Sequence, residues 1–486
     1  MTAPNILWIC TDQQRWDTLG VYGNSWVNTP NIDRLAESGL VFDYCYSQST
    51  VCTPSRASFL TGRYPRTCRG RQNGADIPPE EILITKAMAD AGYNCGLAGK
   101  LHISASNPSV APIMEPRIND GYSVFNWSHD RSDAWPTNEY HNWLAEKGVE
   151  YSSQAHPECN HIRLGPNAEH HQTTWCVEKA INFIQNNAKF DQPWLHSVNI
   201  YDPHHSFETP ADYLQRYLDR IDDIPLPNYI EGELNNKPVF QQFDHLGAYN
   251  SSKDGTTEGS HHYPTMTERD HRMITASYWA MCDLVDSQVG RLLDALESSG
   301  EAENTLVIFM SDHGEMLGDH GLYWKGPFFY EPAVRVPLIV AWKGQVEAGR
   351  RSQALVELSD IAPTILDAAG VEHPAGMQAK SLWPLINGST AIDHHREDVY
   401  SEYYNAMPWH SDPTAQTTMV RTKTHKIVAA HGTGSGELYD LNKDPEETQN
   451  LWSDPESSDL KLDMYERLAD RMAWTVDPLP LRKSEW

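Results

Sequence analysis

Cysteine is scarce and never clustered. The eight residues Cys10, Cys45, Cys52, Cys68, Cys95, Cys159, Cys176 and Cys282 include no Cys-x-x-Cys pair, which excludes a disulfide-built scaffold. Seven of the eight read as small buried hydrophobes. Basic residues are also short: 38 Lys and Arg against 66 Asp and Glu leave a net charge of −28. That balance argues against nucleic acid or an anionic membrane as a partner, and an anionic ligand would need a locally basic pocket. No apolar run approaches the ~20 residues of a spanning helix. Met1-Thr2-Ala3-Pro4 leads straight into a strand-like segment without a signal-peptide core, so the expectation is a cytoplasmic chain, or a periplasmic or secreted one if a leader has been removed. Internal repeats and low-complexity tracts are missing as well. What is present is length, 486 residues, with 40% hydrophobic content, enough for a large core and too much for one minimal domain.

Asn5-Ile6-Leu7-Trp8-Ile9-Cys10 is a short unbroken apolar run closed by a polar turn, the pattern of a strand covered on both faces. Thr29-Pro30 opens a helix carrying Ile32, Leu35 and Ala36 on one face and stopping at Gly39. Another helix is expected from Glu80 to Ala91, and strands at Tyr93 to Ala98, Trp194 to Ile200, Thr305 to Met310 and Val336 to Ala341. This alternation predicts an α/β fold, a large mostly parallel sheet sandwiched by helices. Ile274, Tyr278, Met281, Val285, Val289, Leu292 and Leu296 follow helical spacing in a long helix from Thr267 to Ser299 and read as core. Asn235 to Pro264 lacks periodicity and reads as a surface insertion. Beyond Gly388 short strands, Thr417 to Arg421 and Lys426 to Ala430, suggest a smaller C-terminal α+β subdomain with a short antiparallel sheet. The expected division is 1–388 and 389–486.

In an open parallel sheet, ligands bind beyond the carboxyl ends of the strands. Polar groups recur at those ends: Asp12 and Gln13, Lys100 and His102, His204 and His205, Asp312 and His313. Each pair alone is an ordinary turn or cap, whereas four ends facing one crevice make a site. Asp12, Gln13 and Asp312 offer oxygen donors to a hard divalent cation, and His313 a nitrogen. The strongest local feature is Cys52-Thr53-Pro54-Ser55-Arg56, followed by Leu60-Thr61-Gly62-Arg63. Thr53 can cap a helix that Pro54 opens and Gly62 ends, placing Cys52 just before a helix N-terminus, where free N–H groups favour an anion. Arg56 adds a forked donor set one turn on.

These residues resemble the signature of the type I, formylglycine-dependent sulfatases of the alkaline phosphatase superfamily. The resemblance continues through Gly99-Lys100-Leu101-His102, Asp202-Pro203-His204-His205-Ser206-Phe207, Ser311-Asp312-His313-Gly314, Lys325 ahead of Tyr330-Glu331, Arg335-Val336-Pro337 and Glu437-Leu438-Tyr439-Asp440-Leu441. It implies that a maturation enzyme oxidises Cys52 to formylglycine. One hydroxyl of its hydrate, bound to the metal, then attacks the sulfur of a sulfate ester, and the covalent sulfoenzyme releases sulfate by re-forming the aldehyde. By the same resemblance Asp12, Gln13, Cys52, Asp312 and His313 hold one divalent metal, most naturally Ca²⁺, with Mg²⁺ or Mn²⁺ as alternatives. Arg56 holds the diol, Lys100 and Lys325 bind sulfate oxygens, His102 is a base near the diol, and His204 protonates the leaving oxygen with help from Lys325. The chain departs from many family members in Gln13, where a second aspartate is common, in His313, where asparagine is common, and in Ser206, where proline is common.

The expected activity is hydrolysis of a sulfated carbohydrate, mono- or oligosaccharide in size. A phosphonate monoester or phosphodiester hydrolase of the same superfamily resembles this chain in its metal set, but the Lys100 and His102 pair has the sulfatase form. A non-catalytic sulfoglycan-binding protein is the third reading, and it has no need of a diol precursor.

Overall fold

The computed structural model describes residues 3–131, 134–247, 261–479 and 484. Its strands in the first half are β1 (Asn5–Thr11), β2 (Leu40–Tyr46), β3 (Asn94–Gly99), β4 (Val124–Trp127), β5 (Gln154–His156), β6 (Cys159–Leu164), β7 (Trp194–Ile200) and β8 (Glu208–Thr209). The second half adds β9 (Thr305–Ser311), β10 (Arg335–Val336), β11 (Leu338–Ala341), β12 (Arg350–Glu357), β13 (Asp398–Tyr404), β14 (Gln416–Thr422), β15 (His425–Ala430) and β16 (Ser435–Asp440). Nine strands form the central sheet in the order β10-β2-β11-β9-β1-β7-β3-β4, with β12 beside β2. From β9 to β4 all neighbours are parallel, so their carboxyl ends share one edge. Thr11 lies opposite Ser311, and Gly99 opposite Asn199.

β1, β7 and β9 are buried at every residue, the reason their sequences are unbroken apolar runs. Ile6, Trp8 and Cys10 face one side, with Ala57, Phe59 and Leu60 of the helix Cys52–Thr61. Leu7 and Ile9 face the other, with Val285, Val289 and Leu292 of the helix Glu268–Ser299. The sheet is thus sandwiched as expected, and the predicted apolar stripe of the long helix is buried throughout. That helix starts on a capping box between Thr267 and Asp270.

Several local expectations are corrected. The run Val336 to Ala341 is split at Pro337, which has no N–H to give a ladder, and both pieces, β10 and β11, pair antiparallel with their neighbours. The helix expected from Glu80 begins only at Ile84, after the Pro78-Pro79 turn. Thr53 does not cap its helix: Cys52 is already the first helical residue, and the Thr53 amide donates to Asn73 Oδ1 at 3.0 Å. Of the expected insertion Asn235 to Pro264, residues 248–260 lie outside the described residues. The rest is not merely solvated, since it holds the helix Val239–His245 with Phe240 and Gln241 buried.

β13 to β16 make a four-stranded antiparallel sheet, packed through Val420, Ile427 and Leu438 against Met464 and Leu468 of the helix Ser458–Trp474. A small third sheet, β5-β6-β8, flanks the loop after β7. Among the described residues no helix is long and apolar enough to cross a membrane.

Candidate active site

Four parallel strand ends and one helix start meet at a point. β1 delivers Asp12 and Gln13, β9 delivers Asp312 and His313, β3 delivers Lys100, and β7 is followed by His204. The helix Cys52–Thr61 presents its first residue, Cys52, to them. Close backbone approach at this edge is allowed by glycine: at Gly99, with φ +105°, a Cβ would stand 1.9 Å from the Asn199 carbonyl oxygen, so a side chain there would part β3 from β7 just before Lys100.

Lys325 Nζ lies 2.8 Å from Cys52 Sγ, His313 Nε2 3.1 Å and Lys100 Nζ 3.9 Å. Sγ here stands where the oxygens of a converted side chain would sit. Arg56 Nε donates to Asp312 Oδ2 at 2.8 Å, its Nη1 to the Lys100 carbonyl at 3.1 Å and its Nη2 to Asp12 Oδ2 at 3.4 Å. Lys100 Nζ donates to Asp12 Oδ2 at 2.6 Å. On the outer side, Lys325 Nζ lies 2.8 Å from His204 Nε2, and His204 Nδ1 donates to the His205 carbonyl. All of these except His204 and His205 are buried, so the approach to Sγ is from the histidine side.

Burial sets the charge states as much as contact does. Asp12 is penalised by burial, yet the cations Lys100, Arg56 and Lys325, Lys100 foremost, hold its carboxyl well below the usual carboxylate range. Burial and Asp12 push the Cys52 thiol up, but Lys100, Lys325 and His313 outweigh them and leave it lowered. Burial would lower Lys100, but Asp12 raises it to a firm cation. For His204 and His205, burial and then Lys325 drive the pKa well down, so both rings are neutral at neutral pH.

The donor set fits a divalent cation. Single ligand atoms of Asp12, Cys52, Asp312 and His313 all lie within 4.8 Å of one another. Gln13 Oε1 is buried without a hydrogen-bond partner among the described residues, an acceptor left over where a hard cation would use one. Its amide nitrogen is engaged by Glu315 Oε2 and His205 Nδ1.

Of the residues expected at the site, Asp12, Gln13, Cys52, Arg56, Lys100, His204, Asp312, His313 and Lys325 are joined in this one network. His102 sits at its margin. Its amide donates to Glu115 Oε2 at 3.0 Å, its ring meets His129 edge-on with centroids 4.6 Å apart, and Nδ1 is buried and unpartnered. Burial, Lys100 and His129 lower its pKa well below the usual range. No hydrogen bond joins it to Cys52 among the described residues. Three neighbours escaped the sequence reading. Glu315, three residues beyond Asp312, orients Gln13 and was signalled only by its closeness to Ser311-Asp312-His313-Gly314. His129 arrives from β4, a fifth strand end, and Trp324 stacks on His205 with centroids 4.8 Å apart.

A family model described as Sulfatase matches residues 4–371, and one described as N-sulphoglucosamine sulphohydrolase, C-terminal, matches residues 318–473. An uncharacterized sulfatase of Escherichia coli is 29% identical, covering 100% of this chain and 90% of its own length. An N-acetylglucosamine-6-O-sulfatase of Bacteroides thetaiotaomicron is 26% identical over 99% of this chain and 88% of its own. The crystal structure of a phosphonate monoester hydrolase of Agrobacterium radiobacter superposes with a TM-score of 0.83 at 26% identity, covering 99% of this chain and 98% of that one.

Proposed function

The chain belongs to the sulfatase family and is a sulfuric ester hydrolase, and from that premise we propose that it removes sulfate from a sulfated mono- or oligosaccharide with formylglycine, made from Cys52, as nucleophile. The observation that carries the reading is the convergence of two cations on one buried atom: Lys325 and the Asp12-paired Lys100 both reach Cys52 Sγ, at 2.8 and 3.9 Å. Asp12, Gln13, residue 52, Asp312 and His313 would hold a divalent cation, for which Ca²⁺ suits the three side-chain oxygen donors best. When present, the cation supplies Lewis acidity and formylglycine supplies hydroxyl oxygen in place of sulfur.

The chain's own groups do the remainder. Lys100 and Lys325 bind the sulfate oxygens and stabilise the charge that builds on them. Arg56, tied to both carboxylates, holds the nucleophile's helix turn against the cation ligands. His102, whose Nδ1 has no hydrogen-bond partner among the described residues, would serve as the base beside residue 52. His204 has its Nδ1–H committed to the His205 carbonyl, so Nε2 shares a proton with Lys325 Nζ across 2.8 Å; that proton goes to the leaving oxygen.

A carbohydrate as leaving group is supported by the relative named N-acetylglucosamine-6-O-sulfatase. It is supported too by a polar cavity of about 900 Å³ beside Tyr201 and Ser206, lined also by Tyr151, Arg131, Arg163 and Glu208, a size suited to a hydroxylated ring. The same reading divides the chain into a catalytic unit, 1–388, and a C-terminal unit, 389–486.

The second reading, a phosphonate monoester or phosphodiester hydrolase, is favoured by the similarity to the Agrobacterium radiobacter enzyme. Turnover of paired aryl sulfate and aryl phosphonate esters separates the two, on protein whose Cys52 conversion is verified by peptide mass. A large preference for sulfate is expected, and a preference for the phosphorus ester would overturn the sulfatase reading. No turnover of either by fully converted protein would favour a binding protein.

A further inference from the structure

His205 touches both halves of the site without being assigned to either. Its ring stacks on His204, with centroids 4.0 Å apart and planes 27° from parallel, and on its other side lies against Trp324 at 4.8 Å and 22°. Its Nδ1 meets Gln13 Nε2 at 3.1 Å. A primary amide nitrogen only donates, so Nδ1 is the acceptor and the ring proton sits on Nε2. The other hydrogen of that amide goes to Glu315. With both N–H bonds spent, Gln13 cannot flip without losing two partners, and Oε1 stays the buried acceptor with none of its own.

We infer that His205 is a positioning residue with two separable duties: Nδ1 fixes the Gln13 carboxamide as an oxygen donor to the cation, and the ring face holds His204 in the plane from which it serves the leaving oxygen. The inference rests on the cation-dependent sulfatase reading and deepens it. Its physical basis is that groups behind a metal ligand or a catalytic base set orientation, and losing one typically costs about 10- to 100-fold in affinity or rate.

Two substitutions split the duties. His205→Phe keeps the stacked ring and removes Nδ1, while His205→Asn returns an acceptor near that place and removes the stack. Ca²⁺ affinity is read by calorimetry on protein with unconverted Cys52, and relative turnover of aryl sulfates with good and poor leaving groups on converted protein. Melting curves check the fold, with His205→Tyr, which also keeps a ring and lacks Nδ1, standing in should His205→Phe not fold. We expect His205→Phe to weaken Ca²⁺ binding about 10- to 100-fold with its leaving-group dependence kept. His205→Asn is expected to bind Ca²⁺ close to the parent and to lose rate chiefly on poor leaving groups. Equal losses by both variants on both readouts would show a mere packing role and overturn the inference. A parent that binds Ca²⁺ and a His205→Phe protein that binds it equally well removes this inference alone. A parent with no Ca²⁺ affinity removes the cation reading and this inference together.

Discussion

Two clusters of buried charge differ in how their charges are partnered. Toward the C-terminal sheet, Lys426 pairs with Glu331 at 2.9 Å and with Glu447 at 2.5 Å and donates to the Phe329 carbonyl at 2.8 Å, while Tyr46 OH and the Glu331 amide give further hydrogen bonds to the two carboxylates. Arg421 lies 3.7 Å from Glu331. Arg335 lies 3.6 Å from the same carboxylate, so each carboxylate there has a cation against it, and the contacts tie β14 and β15 to the short helix Glu331–Val334. At the Cys52 cluster, Arg56 and Lys100 are matched by Asp12 and Asp312, but among the described residues Lys325 bonds only to Sγ and two histidine nitrogens, and Gln13 Oε1 has no hydrogen-bond partner. Burying charge costs free energy unless partners return it. The closed cluster therefore reads as structure, and the open one as a place that a cation and an anion complete.

Substitutions that cross between the clusters test this difference. Cys52→Ala is expected to reduce sulfate ester turnover by on the order of 10⁴-fold or more, since the nucleophile's precursor is gone, while the melting temperature stays near the parent value. Substantial residual activity would mean that residue 52 does not attack. Next come the two lysines. Lys426→Met takes the cation from buried Glu447 and leaves Glu331 only the longer Arg421 and Arg335 pairs, and it should lower stability by about 3–5 kcal/mol, read by denaturant melts, with kcat per folded molecule little changed. Lys325→Met should do the reverse, lowering kcat by about 10²- to 10³-fold with no comparable loss of stability. Two lysines with the same signature would erase the distinction.

His204→Ala sharpens the comparison within the open cluster. A proton donor matters in proportion to the basicity of the leaving oxygen, so sugar or alkyl sulfates should lose about 10²- to 10⁴-fold and activated aryl sulfates much less. A uniform loss across leaving groups would make His204 a binding residue.

The open cluster was largely legible in the amino-acid sequence because its parts are local. A strand run ending in Asp12-Gln13 or Asp312-His313, and a Pro-Ser-Arg helix start behind Cys52, each announce themselves within a few residues. The parallel sheet then brings them to one edge. The closed cluster was not legible: Glu331, Arg421, Lys426 and Glu447 come from separate elements, and no spacing rule links a helix start to an antiparallel ladder. His129 was hidden for a related reason. It follows β4, whose Val124-Phe125-Asn126 is only half buried and lacks the apolar run that marks β1 or β9. Thr53 was misjudged as a cap because its residue type suits the role, whereas Asn73, distant in sequence, claims its amide.

A last test uses a buried polar group that no ligand redeems. His196 lies in the middle of β7, opposite Leu7 and Gly96, with its ring 4.4 Å from that of Phe183 and both ring nitrogens unpartnered among the described residues. Burial alone pulls its pKa down to about 3 from 6.5. Between those values the unfolded chain binds a proton that the folded one refuses, so stability is lost as pH falls below about 6.5, by about 2 kcal/mol at pH 5. His196→Leu removes that term, and it forfeits no hydrogen bond in doing so. Denaturant midpoints at pH 7 and pH 5 should therefore lie closer together in the variant than in the parent, with the pH 7 midpoint kept. An unchanged acid slope would mean that the ring has a partner after all, and that burial of an unpaired imidazole is not what this strand carries.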